Sequence, residues 1–204
     1  MTDPTLVQDK RIRRTKKLLR ESLVCLLKEK DLKDITITDI VQQADINRGT
    51  FYKHYQYKED LLGEVIDEVL LDLVDSYREP YRQVETFVVG DMVASTIKIF
   101  EHIAQYANFY EIVLKTDMLP GVQTKICNEL KKLPIQDLVN TQQNNHINQE
   151  LQSSYYAYAI LGMIIEWVNG DFQHSPRYMA EQLLEIMKYN SLNVVYKINP
   201  NQMH

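Results

Sequence analysis

The sequence predicts an all-α chain: a three-helix head carrying a helix-turn-helix, followed by a larger helical C-terminal body. Three observations lead there. Only six glycines occur in 204 residues, and stretches with apolar residues at helical spacing recur between them. Pro80, Pro120, Pro134 and Pro176 punctuate those stretches. Two short capped segments joined by a tight turn lie between Thr36 and Tyr55.

Asp9 can cap a first helix that runs to about Lys30, with Ile12, Leu19, Leu23, Leu26 and Leu27 on its apolar face. Residues 31–35 connect it to Thr36-Ile37-Thr38-Asp39, which reads as a capping box. There the Thr36 hydroxyl accepts the Asp39 amide and the Asp39 carboxylate accepts the Thr36 amide. The short helix that follows turns Ile37, Ile40, Val41 and Ala44 inward. Asp45-Ile46 makes the turn, and Asn47 caps a second short helix from Arg48 to about Tyr55. A long helix then runs from Lys58 to about Arg78 with Leu62, Val65, Ile66, Val69 and Leu73 inside. At 1.5 Å per residue it is roughly 30 Å long, enough to leave a small head and enter a second domain.

Beyond Pro80 the pattern predicts helices over 85–105, 108–115, 121–133, 135–141, 150–169 and 176–190, with an Asn/Gln-rich loop over 141–154. The expected domains are 1–57 for the head, 58–78 for a shared connecting helix, 79–190 for the body and 191–204 for a tail.

Composition excludes several classes. The chain is 45% hydrophobic and 25% charged, as ordinary soluble globular proteins are. No apolar run reaches the roughly 20 residues of a membrane span. The polar start has no secretory signal, so a cytoplasmic location and no membrane partner are expected. Cys25 and Cys127 are far apart and fit as small buried residues in a reducing compartment. His102, Cys127, His146 and His174 lack metal-ligand spacing, and no glycine loop cradles a phosphate. No metal, cofactor or enzymatic activity is therefore expected.

The net charge is −5, but it is unevenly spread. Residues 1–60 hold 13 Lys+Arg against 10 Asp+Glu, while residues 61–204 hold 10 against 18. The basic cluster Lys10, Arg11, Arg13, Arg14, Lys16, Lys17 and Arg20 sits on the first helix. A basic head on an acidic body suits a protein that touches a polyanion at one end. The helix at 48–55 is rich in donors, with Arg48, Thr50, Tyr52, Lys53 and His54. Gly49 allows close backbone approach. The capped start at Thr36 offers amides to a phosphate, and Lys58 can grip the backbone from the other side.

Residues 36–41, then Ala44-Asp45-Ile46-Asn47-Arg48-Gly49-Thr50-Phe51-Tyr52-Lys53-His54-Tyr55, then Lys58-Glu59-Asp60-Leu61-Leu62, resemble the DNA-binding domain of TetR-type (tetracycline-repressor-like) regulators. Asp45 stands where glycine is common, and Tyr57 where a small capping residue is common. The resemblance implies that Arg48, Thr50 and Asn47 face bases. It implies that Thr36, Thr38, Tyr52, His54 and Lys58 touch phosphates, and that Phe51 packs in the core. Residues 155–170, followed by Ser175-Pro176, are similar to a subgroup that includes regulators of dihydroxyacetone kinase systems.

The family further implies a homodimer through the last two long helices. Tyr155, Ala159, Gly162, Met163 and Glu166 would lie on one, and Leu183, Leu184, Ile186 and Met187 on the other. It also implies a small-molecule pocket, with His102, Tyr106, Phe109, Tyr110 and Trp167 as candidates. The function implied is a repressor of a near-palindromic operator, released by a ligand. The alternative is a co-regulator that keeps the fold and works mainly through protein contacts.

Overall fold

The computed structural model describes residues 4–82, 92–116, 119–137 and 146–189, and every regular element among them is helical. Helix α1 spans Pro4–Leu27. It starts before Asp9 because Pro4 occupies the first turn, where its missing N–H costs nothing, so Asp9 lies inside the helix instead of capping it. Leu19, Leu23, Leu26 and Leu27 are buried, while Ile12 is only partly covered. Cys127 is buried but Cys25 is exposed. Cys25 falls between the buried Leu23 and Leu27 in sequence and therefore on the opposite side of the helix.

Helix α2 (Ile37–Gln43) begins with the full capping box. The Asp39 amide donates to Thr36 Oγ1 at 3.1 Å, and the Thr36 amide donates to Asp39 Oδ2 at 2.8 Å. Asp45 then adopts φ 53°, the left-handed conformation that Asp tolerates better than most residues. Helix α3 is only Arg48–Tyr52, shorter than the stretch to Tyr55 that its composition suggests. Asn47 Oδ1 accepts the Gly49 amide at 2.8 Å. Phe51 is fully buried and its ring meets Tyr55 at 5.6 Å.

Helix α4 (Lys58–Arg78) starts without a capping hydroxyl. The Asp60 carboxylate instead anchors the chain just before it, accepting the amides of Tyr57 at 2.8 Å and Gln56 at 3.1 Å. This explains how Tyr57 is tolerated at that position. Its inner face is buried throughout, from Leu61 to Leu73. α4 packs on α1, and further along on α5 (Ile99–Gln105) and α7 (Val122–Asp137). It thus packs on helices from both ends of the described chain.

In the body, α6 (Ala107–Lys115) and α8 (Gln149–Asn169) pack together, and α9 (Pro176–Tyr189) packs on α5. Two expectations are corrected. Val93 is extended and a 3-10 turn spans Ala94–Thr96, so the helix expected over 85–105 is regular only from Ile99; residues 85–91 lie outside the described residues. Pro134 sits inside α7 instead of dividing it. The last turn is held from outside, because Asp137 accepts Arg78 Nε at 2.7 Å, Arg78 Nη2 at 2.9 Å and the Tyr81 hydroxyl at 2.9 Å. Residues 150–154, where the expected helix and the expected loop overlap, are helical: α8 starts at Gln149, capped by Asn148. The rest of the expected loop to residue 145, the end of the 135–141 helix and the tail after 189 fall outside the described residues.

Phe51 is the one buried side chain of α3, so Phe51→Ala should cost about 3–5 kcal/mol. In a chain of this size that lowers Tm by on the order of 10 °C. Thermal denaturation followed by circular dichroism checks this; a loss under a quarter of that would mean α3 is held in another way.

Candidate nucleic-acid interface

Burial of Phe51 fixes which way α3 faces. With that ring inside, Arg48, Gly49, Tyr52 and Lys53 are exposed, and Thr50 and His54 are half-buried. Arg48 and Tyr52 stand four residues apart and order each other. Arg48 Nη2 donates to the Tyr52 hydroxyl at 3.2 Å, and its guanidinium lies 5.7 Å from the ring centre. A guanidinium held over an aromatic face keeps its remaining donors pointed outward. Gly49 has a local reason as well: a side chain there would bring Cβ within 3.3 Å of Asn47 Oδ1, the capping atom.

The start of α2 offers less to an anion than the sequence suggests. Thr36 and Thr38 are exposed, but the amides of Thr36 and Asp39 are already bonded within the capping box. Asp39 also accepts Lys30 Nζ at 3.0 Å. The Thr36 backbone amide, then Lys30 and the Thr36 hydroxyl, hold the Asp39 carboxyl down at about 2, so it carries full negative charge in this corner.

Lysine and arginine positions divide into two sets. Lys10, Arg11, Arg13 and Arg14 are exposed along the first half of α1. Lys16 and Arg20 turn inward onto α4. Lys16 meets Glu64 at 2.8 Å, and Arg20 meets Glu64 at 2.6 Å and Glu68 at 2.6 Å. Burial works against the Glu64 charge, yet Lys16, Tyr55 and Arg20 together keep its carboxyl below the ordinary range. Lys58 likewise does not face outward: its ammonium donates to three main-chain carbonyls of the α1–α2 connector. Lys16 and Arg20 of the basic cluster and the Lys58 ammonium are thus taken up by partners within the fold.

The residues expected to line a ligand pocket are mostly packed core. His102, Phe109, Tyr110 and Trp167 are buried. Tyr110 donates its hydroxyl proton to His102 Nε2 at 2.9 Å, and His102 Nδ1–H donates to Asp72 Oδ2 at 2.9 Å. This is the tautomer that satisfies both partners. Burial pushes the His102 pKa down, against the pull of Asp72. Trp167 Nε1 donates to the His174 carbonyl at 2.9 Å. Tyr106 borders an open cleft of about 830 Å³ between α1, α4 and the α5–α6 corner, with Arg20, Glu64, Glu68 and Asp72 on its walls.

On α8, the face opposite the core carries Leu151, Tyr155, Tyr158, Ala159, Gly162 and Glu166, exposed except for the half-buried Gly162. Met163 is half-buried beside it. On α9, Leu183 and Leu184 are buried within the chain's own core and Met187 packs against it. They do not offer the outward face read for them. Tyr178, Ile186 and Tyr189 do, because Leu183 and Leu184 follow the buried Met179 and Ala180 one helical turn on.

Two family models match the chain. One, described as bacterial regulatory proteins of the tetR family, covers residues 23–65; the other, a transcriptional regulator C-terminal region, covers residues 91–189. The chain belongs to the TetR family of bacterial transcription regulators. That is a family of regulators and not of enzymes.

Among its relatives is the uncharacterized HTH-type transcriptional regulator YxbF of Bacillus subtilis, 25% identical over 92% of this chain. Another is the HTH-type dhaKLM operon transcriptional activator DhaS of Lactococcus lactis, 28% identical over 33% of it. The chain spans 48% of the first relative's length and 36% of the second's. A solved structure of a dihydroxyacetone kinase operon activator, DhaS, superposes with a TM-score of 0.59, covering 86% of this chain and 95% of that one at 16% identity. It shares the fold. Among the described residues no helix is long and apolar enough to cross a membrane.

Asp39 yields a pH prediction. Its folded pKa of about 2 lies below the ordinary 3.8. A carboxyl with a depressed folded pKa adds stability above its unfolded value and loses it as pH falls through the folded one. The Tm gap between wild type and Asp39→Asn should therefore be widest above about pH 5 and close by about pH 2. A gap that does not change with pH would show that the carboxylate charge contributes nothing at this cap.

Proposed function

We propose that this chain is a homodimeric DNA-binding transcription regulator that reads a near-palindromic operator with α3. The observation that carries the reading is the outward pair Arg48–Tyr52 on a helix whose only buried side chain is Phe51. Such a helix has one face fixed inside and presents the other to a major groove. Arg48, Thr50 and Asn47 would meet base edges. Thr36, Thr38, Gly49, Tyr52, Lys53 and His54, with Lys10 to Arg14 on α1, would hold the backbone and set register. Two heads would enter grooves roughly 34–36 Å apart, or a multiple of that. The division into head, connecting helix and body follows the same reading, as does a cytoplasmic site of action.

The outer face of α8 supports the dimer. Leu151, Tyr155 and Tyr158 are more than 60% exposed, and a large apolar patch on a helix marks an interaction surface. Nothing lies within 4 Å of where a Gly162 side chain would be, so the missing side chain admits a helix from outside the chain. Repression is the proposed direction, since an occupied operator excludes polymerase without a second surface. Ligand release would act through α4. A second reading, a co-regulator driven by a protein partner, is favoured by one observation: His102, Tyr110 and Trp167 spend their polar atoms on protein neighbours.

Gel-shift titration on duplexes from upstream of the chain's own gene tests the reading. Arg48→Ala should weaken binding by about 1–3 kcal/mol and relax sequence preference; Tyr52→Ala should weaken it too. Binding unchanged in both variants, or absent in wild type, counts against it. A reporter under the same upstream region separates repression from activation. For the dimer, Tyr158→Glu and Gly162→Glu lie on the outer face and should leave the helical signal intact. In sedimentation velocity they should halve the mass of a dimeric wild type; a wild type already monomeric at high concentration refutes the dimer.

A further inference from the structure

Lys58 occupies the first position of α4, the end of a helix where aligned peptide dipoles disfavour a cation. Its ammonium donates to the carbonyls of Leu32 at 2.6 Å, Ile35 at 2.7 Å and Lys33 at 3.3 Å. An ammonium has three N–H donors, and these acceptors take all three. They belong to the 3-10 turn Leu32–Asp34 and the residue that ends it. Carbonyls at the end of a helical turn attract positive charge, and that of Leu32 takes the ammonium beside the Ile35 amide, which donates to it at 3.2 Å. That connector passes through buried Ile35 straight into Thr36, the cap of α2. From the other side Lys30 holds the Asp39 oxygen that accepts the Thr36 amide. α2 in turn carries α3 through the Asp45 turn.

We propose that Lys58 is a positioning residue for DNA recognition: it ties the first turn of α4 to the main chain entering α2, sets the orientation of the α2–α3 pair on α4, and holds no phosphate itself. This rests on the DNA-binding reading above. It also makes the α4 start a rigid joint, so that a shift of α4 moves α2 and α3 with it.

The experiment compares wild type, Lys58→Met and Lys58→Arg in the full chain, on a duplex from upstream of the gene and on a mixed-sequence duplex, over a range of salt. Lys58→Met should lose about tenfold in affinity for the upstream duplex and little for the mixed one. The slope of log K against log salt should not change, because no phosphate contact is removed. Amide exchange over residues 32–43 should rise at least tenfold in the free protein, with 62–73 unchanged. Lys58→Arg should share both defects, since a planar guanidinium cannot place three donors on one nitrogen.

A slope that falls by about 0.9, rescued by arginine and without change in exchange, overturns the proposal. Should Lys58→Met fail to fold, wild type decides alone. A slowly exchanging Lys58 Nζ resonance that is unmoved by added duplex supports the joint; one that becomes protected only on duplex overturns it. Failure of the DNA reading looks different: wild type binds neither duplex, while the exchange data on free protein still report the joint.

Discussion

A helix of five residues contains barely one turn, and helix nucleation in water is unfavourable at that length. Whatever α3 does, it does because tertiary contacts hold it. Phe51 supplies the contact, fully buried among side chains of the head. Asn47 supplies the cap, and Asp45 the left-handed turn that sets the angle between α2 and α3. Remove the ring and Arg48 and Tyr52 still exist, but nothing fixes where they point. The same logic extends outward. α2 needs the buried Ile40 and Val41 against α1, and α1 needs α4. The exposed donors are the last link in a chain of burial.

Charge in the head is spent in two ways. Surface ion pairs are each worth little, yet Lys16, Arg20, Glu64 and Glu68 form a connected set across α1 and α4. Lys30 and Lys58 close on the α2 entrance. These four cations leave Lys10 to Arg14 and the α3 donors as the outward positive set. An acidic α4 wall beside them keeps the field one-sided, which suits a polyanion approaching from one direction.

Fold class and the turn chemistry were legible because they are local. The Thr36 capping box, the Asp45 turn, the Asn47 cap and the extent of α4 each depend on a few adjacent residues. Partner choice was not legible. Lys58 and Lys16 look like surface cations in sequence, and only the tertiary fold shows carbonyls or carboxylates waiting for them. Leu183 and Leu184 have the right chemistry for a dimer face, but side-chain type cannot say which side of a two-sided apolar helix pair meets its own core. Pro134 is a breaker locally; Asp137, bonded to Arg78 and Tyr81, overrides it from a distance. Asp9 was misplaced because Pro4 moved the helix start, and Cys25 because it was read by residue type although its position between Leu23 and Leu27 sets it on the outer side of α1.

The route between body and head is narrower than a single lever would suggest. α4 touches both, but so does α1, whose Lys28 reaches Asn108 at 2.9 Å and Glu111 at 3.1 Å on α6. The body is therefore tied to the head at two places. α4 is itself tied to α5 and α6 by the chain Asp72–His102–Tyr110, whose middle member is buried. A buried hydrogen-bonded histidine resists small displacements, because losing either bond strands a polar atom. A signal that moves α4 must break that chain or carry α5 and α6 along. In the second case Lys28 would pull α1 as well, and the whole head would turn as one body. In the dimer proposed above, such a coupling favours a change of head spacing without distortion of α3, which two half-sites would sense.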